Sequence, residues 1–215
     1  MNPLLRRALL GAALALLAAP GLPRAAAALP LISEVLYDAV GTDSGFVFVE
    51  LWGSPGALLD GLSVEGVNGS DGSVTVTLPL TGSIPADGVF VLADEGTGGT
   101  TSVPNADLVL NFDFQNGPDS VRLMSGTSVL DALGYGTFGA GDVFAGEGSP
   151  APDPPSGSSV ARVFANVDTD DNATDFVALA TPTPGVAAVV PEPASGALLA
   201  AGLAGLAALG RRRRP

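Results

Sequence analysis

Between Leu29 and Leu179 the chain repeats one pattern: a short run rich in Val, Leu, Phe and Thr, then a cluster of Gly, Pro, Asn or Asp. Runs of this kind bounded by turn formers are the mark of sandwich strands. Strands are expected at Leu31–Asp38, Phe46–Trp52, Leu62–Val67, Val74–Leu80, Val89–Ala93, Asp107–Leu110, Ser120–Met124, Ser128–Leu133, Val160–Val163 and Phe176–Leu179. Val74-Thr75-Val76-Thr77-Leu78 alternates with a period of two, which sets Val74, Val76 and Leu78 on one face. Turn chemistry is explicit at Asn68-Gly69, Asp71-Gly72, Asp87-Gly88 and Asn116-Gly117. Apart from the two hydrophobic ends, no stretch long enough for a helix keeps an apolar stripe at helical spacing. The expected class is all-β, a β-sandwich with Phe90, Val121, Leu123 and Phe176 in its core.

The ends obey different rules. Arg6 and Arg7 precede the apolar stretch Ala8–Ala19, and Ala26-Ala27-Ala28 offers small residues for a signal peptidase, so residues 1–28 read as a secretory signal. At the other end Pro191-Glu192-Pro193 is followed by Ala194–Gly210, free of charge, and then by Arg211, Arg212, Arg213 and Arg214. An apolar helix of that length would reach about 25 Å, slightly less than the hydrocarbon core of a bilayer. A single transmembrane helix is expected there, with the arginines on the cytoplasmic side and everything before it exported.

Charge narrows what the exported part can do. Residues 29–190 hold 21 of the 22 acidic residues, against Arg122 and Arg162 and no lysine, a net charge of −19. Such a surface repels phosphate backbones and anionic lipid, which argues against nucleic-acid partners. Cysteine and histidine are absent, so disulfides, thiol chemistry and a Ser-His-Asp triad are excluded. Paired carboxylates remain available, and Glu34 with Glu50 is the candidate pair for a glycan hydrolase. Among so many acids, solvated or capping roles for the two outweigh catalysis. Asp168, Asp170 and Asn172 offer oxygen ligands at alternate positions and form a candidate calcium site, although Ala173 and Leu179 stand where an EF-hand needs Gly and Glu. The competing reading of that segment is an acidic turn that bonds its own backbone. Gly146–Pro155 carries too many prolines for a ladder and reads as a long loop.

Two resemblances order these readings. Pro191-Glu192-Pro193, the apolar segment and the terminal arginines together closely resemble the PEP-CTERM sorting signal of Gram-negative envelope proteins. That resemblance implies that Pro191, Glu192 and Pro193 are recognised by the membrane protease-transpeptidase exosortase, which removes the segment behind them. The segments Leu31–Asp38, Phe48–Trp52, Ile84–Asp94, Asp119–Leu123, Ser159–Val163 and Thr181–Gly185 resemble a bacterial lamin-tail domain. It implies an immunoglobulin-like sandwich that serves as an interaction module and carries no shared catalytic residues. The expected organisation is a signal peptide at 1–28, a lamin-tail-like domain at 29–187 and a sorting and anchor segment at 188–215. The expected function is that of a non-enzymatic envelope or matrix protein, handled by signal peptidase and exosortase and associated with exopolysaccharide or envelope proteins. A secreted carboxylate-dependent glycan hydrolase is the alternative.

Overall fold

The computed structural model describes residues 29–191 together with Gly202. The expected signal peptide at 1–28, the apolar span, Glu192, Pro193 and Arg211–Arg214 lie outside the described residues. Among the described residues no helix is long and apolar enough to cross a membrane.

Ten strands form in chain order: β1 (Leu31–Leu36), β2 (Phe48–Trp52), β3 (Leu62–Asn68), β4 (Val74–Pro79), β5 (Val89–Asp94), β6 (Leu108–Leu110), β7 (Asp119–Ser125), β8 (Ser128–Tyr135), β9 (Ser159–Arg162) and β10 (Phe176–Leu179). Each lies at an expected segment. One difference comes from local chemistry: Phe46 and Val47 both donate to the Asp43 carbonyl, at 2.9 and 3.3 Å, and that turn delays β2 to Phe48. A single helical turn, α1 (Asn172–Asp175), occupies the acidic segment.

The strands build two sheets. One has six strands in the order β10-β9-β1-β2-β5-β6 and the other has four in the order β4-β3-β7-β8. Pairing is antiparallel except between β5 and β6. Inward residues of both sheets meet in one core that includes Ile32, Val49, Leu51, Val64, Phe90, Leu92, Val121, Leu123, Leu133 and Phe176, all nearly inaccessible to solvent. Tyr37 and Tyr135 stack in it with ring centroids 3.9 Å apart. Each places its hydroxyl on an acceptor, Asp153 at 2.9 Å and the Gln115 carbonyl at 3.0 Å, which is how a phenol enters a core without an orphaned donor.

Two features depart from simple alternation. Leu78 is buried and Val76 packs against the core, yet Val74 on the same face is 46 % exposed. β4 is the edge of its sheet. The six-stranded sheet is also apolar on its outer face, where Leu36, Phe48, Val89, Val91 and Ala93 form a second cluster with Val103, Ala106 and Ala187. That cluster is covered from two directions, by the segment between β5 and β6 and by the chain after β10.

Candidate functional site

Glu34 and Glu50 sit directly opposite each other on β1 and β2, after an irregularity in the β1 register between Ile32 and Glu34. Each shares its face with an apolar neighbour two residues away, Leu36 and Phe48. Both carboxylates are therefore on the outer face of the six-stranded sheet, and both are only 1 % exposed. Burying two like charges together is costly unless donors are supplied, and the chain after β10 supplies them.

That chain, residues 180–190, forms a strap across the sheet. Thr183 donates to Glu34 twice, from its backbone N–H at 2.8 Å and its hydroxyl at 2.7 Å. The Gly185 N–H donates to Glu50 at 2.7 Å. The turn that presents these donors closes with Val186 N–H on the Thr183 carbonyl at 3.0 Å. Pro184 and Gly185 occupy its central positions, and Gly185 has φ 87°, the arrangement a type II turn requires. A Cβ on Gly185 would lie 2.6 Å from the Asn105 amide nitrogen, and that amide donates to the Pro184 carbonyl at 2.9 Å. Ser33 and Ser159 complete the acceptor shells of Glu50 and Glu34 from the sheet side.

Beyond the clasp the strap stays docked. Ala165 N–H donates to the Ala188 carbonyl at 2.7 Å. Asn166 then mimics a strand partner: its amide nitrogen donates to the Val190 carbonyl and its amide oxygen accepts from Val190 N–H, both at 2.8 Å. Contact with the domain thus continues to Val190, and exposed Pro191 comes directly after it.

Burial under the strap is the main cause that pushes the Glu50 carboxyl up to about 7. The bonds from Ser33 and Gly185 oppose the rise, and the negative charge of Glu34 adds to it. A cavity of about 210 Å³ lies beside the pair beneath the strap, below the range of ordinary ligand clefts, which starts near roughly 300 Å³. In this arrangement Glu34 and Glu50 act as acceptors for the protein's own backbone and hydroxyls.

The calcium candidates are not brought together as a ligand set. Asn172 is completely buried. Its amide oxygen accepts from Gly134 N–H at 2.8 Å and Glu147 N–H at 3.0 Å, while its nitrogen donates to the Ala132 carbonyl at 2.8 Å. Asp170 is exposed. Asp168 accepts from Asp170 N–H and from Arg162, both at 3.2 Å. The backbone takes the amide oxygen of Asn172, and Arg162 with Asp170 N–H takes one oxygen of Asp168, so these two are engaged within the protein itself.

Arg162 is what sequence reasoning missed. Its guanidinium is fully buried and pairs with Asp131 through one nitrogen at 3.0 Å to both oxygens, and with Asp175 at 2.9 Å. It also donates to the Ile32 and Val167 carbonyls, at 3.0 and 3.1 Å, and lies 4.5 Å from the centre of the Phe176 ring. Carboxylate oxygens of Asp131, Glu147 and Asp168 lie within 4.8 Å of one another. Burial, followed by repulsion from Asp131 and Asp168, pushes Glu147 up to about 8. The cluster is thus centred on an internal cation, the Arg162 guanidinium. The one available signal was scarcity, since within residues 29–190 Arg162 is one of only two arginines among 21 acids. The other, Arg122, pairs with Glu65 at 2.7 Å.

On the surface, a polar hollow of about 370 Å³ is lined by Asn68, Gln115, Asn116, Asp119 and Asp142. An apolar one of about 340 Å³, lined by Leu36, Phe46, Phe48, Val103, Pro182 and Pro184, borders the strap.

The family described as the PEP-CTERM protein-sorting motif matches residues 189–214. The chain carries a PEP-CTERM sorting motif. It is therefore an exported protein targeted to exosortase, with transient anchoring in the membrane. Val189 and Val190 belong both to the docked strap and to the matched motif. No curated protein and no solved structure matches the chain.

Proposed function

We propose that this protein is an exosortase-processed component of the cell envelope or extracellular matrix. Its sandwich, of the lamin-tail and immunoglobulin-like kind, acts as a non-catalytic interaction module associated with exopolysaccharide. The observation that carries the reading is the sorting motif at residues 189–214, which begins on a strap clasped to the folded domain. The order of the strand segments and the two-sheet architecture support the lamin-tail comparison. The amide and carboxylate side chains of the polar hollow supply the donors and acceptors that neutral sugar hydroxyls require. The net charge of the exported part and the pairing of both its arginines leave no free basic patch for an anionic partner.

Intact mass of the protein recovered from its native envelope and medium tests the processing. A C-terminus near Pro191–Pro193, with or without an added group, is expected, and a chain continuing through Pro215 overturns it. Incubation of the purified protein with envelope polysaccharide tests the module. Retention of the protein without new reducing ends is expected, with retention weakened in Asn116→Ala. Release of reducing ends that Glu34→Gln abolishes would replace this reading by that of a glycan hydrolase.

A further inference from the structure

The matched motif starts on residues the fold holds fast, and no free spacer separates the last pinned residue, Val190, from Pro191. Exosortase is a membrane enzyme, and the apolar segment behind the motif keeps Pro191–Pro193 close to the bilayer. With the strap docked, the motif is flanked on one side by the membrane and on the other, within one residue, by the sandwich. A domain of this size has a radius of gyration of about 15 Å, so the folded body stands where a membrane-embedded active site must receive the chain. With residues 187–190 undocked and the clasp closed, four residues become a tether whose extended length is roughly 13 Å.

The strap is built to open from the motif end. At its far end the clasp closes on buried acceptors: Glu34 and Glu50, each 1 % exposed, accept from Thr183 and Gly185, and Pro184 between those donors is buried. At the motif end Val189 and Val190 are 44 % and 40 % exposed. There the docking rests on the two exposed hydrogen bonds of Asn166 and on the Ala165–Ala188 bond. Peeling from Val190 back toward Val186, itself 67 % exposed, leaves the Glu34–Glu50 clasp in place.

We propose that Asn166 is a positioning residue for the processing of this chain: by pairing with Val190 it holds the sorting motif against the domain, and its release sets how fast exosortase gains the motif. This rests on the reading of the tail as an exosortase substrate. Accessibility of the motif then depends on a local opening of a few residues at the motif end, and the sandwich stays folded throughout.

The test tracks the full-length chain in cells that contain exosortase, by pulse-chase with intact mass at each time. Four forms are compared with the native one: Asn166→Ala, a flexible Gly/Ser spacer of about twelve residues between Val190 and Pro191 with a mean reach of roughly 20 Å, both changes together, and Glu192→Ala. Asn166→Ala is expected to shorten the precursor half-life roughly fivefold, the effect of two exposed hydrogen bonds on a local opening. The spacer is expected to shorten it as well, and Asn166→Ala is expected to add nothing once the spacer is present. That non-additivity separates positioning from a general loosening of the domain, which would act equally with and without the spacer. Equal factors in both backgrounds, a slower half-life in Asn166→Ala, or no change in either form overturns the proposal. The Glu192→Ala precursor should persist. If it is processed like the native chain, or if no form is processed, the exosortase reading itself fails and the proposal falls with it.

Discussion

Replacing Glu50 by glutamine should flatten part of the pH dependence of stability and leave the fold in place. In the folded protein the Glu50 carboxyl holds its proton up to about 7, against 4.5 when exposed, because burial outweighs the bonds from Ser33 and Gly185. Between those values the folded state carries more protons than the unfolded one, so stability falls as pH rises. The contribution is complete below about 4.5, declines through 7 and is constant above it. The gap between the two values corresponds to about 3 kcal/mol, an upper figure, since the unfolded chain retains some structure. Glutamine keeps the shape and an acceptor for Gly185 N–H, and its amide nitrogen can turn Ser33 from donor to acceptor. Asp113, Asp119, Asp131 and Glu147 are also shifted upward, so the native domain keeps a slope of the same sign without Glu50. The assay is urea unfolding of residues 29–190, native and Glu50→Gln, at about pH 4.5 and pH 8. Relative to the native domain, the variant should gain up to about 3 kcal/mol on going from the lower pH to the higher. An identical difference at both pH values would mean that Glu50 is not held protonated by the clasp.

Three further outcomes are expected. Arg162→Met leaves Asp131 and Asp175 buried without their cation and should cost about 3–5 kcal/mol in urea unfolding, with partial recovery at acidic pH as Asp131, already shifted upward by burial, protonates; full stability at neutral pH would refute the network. Phe90→Ala removes a core ring that is 3 % exposed and should cost about 3–5 kcal/mol, so an unchanged thermal midpoint would contradict its placement on β5. Gly185→Ala forces a side chain into a backbone with φ 87° and against Asn105. It should speed amide exchange at residues 183–190 while β1 and β2 stay protected, and unchanged exchange there would refute the strained turn.

Much of the architecture was legible because strand and turn signals are local. Alternation in Val74–Leu78 and the Asn-Gly and Asp-Gly turns depend on neighbouring residues and on the steric preferences of the backbone. The sorting motif was legible for the same reason, since an order of motif, apolar segment and arginines is a linear property of the chain. The candidate carboxylates were found as well, and their partnership is real: Glu34 faces Glu50 across β1 and β2. Their role was not readable, because the groups that satisfy them lie 149 and 135 residues away, at Thr183 and Gly185. Asp168, Asp170 and Asn172 show the converse. Their spacing suggested convergence on a cation, but β8 and β9 bring in Arg162 and the Gly134 N–H, which engage one oxygen of Asp168 and the amide oxygen of Asn172.

By itself, then, the sequence determined the class of fold, the strand segments, the exclusion of thiol and imidazole chemistry, and the address at the C-terminus. Each of these is set by residue type and short-range order. Tertiary structure decided which charges are buried together and what neutralises them, and that the sorting motif begins on a strap clasped to the domain. Those outcomes depend on contacts between distant segments, where desolvation makes the partner of a charged group matter more than its neighbours in the chain.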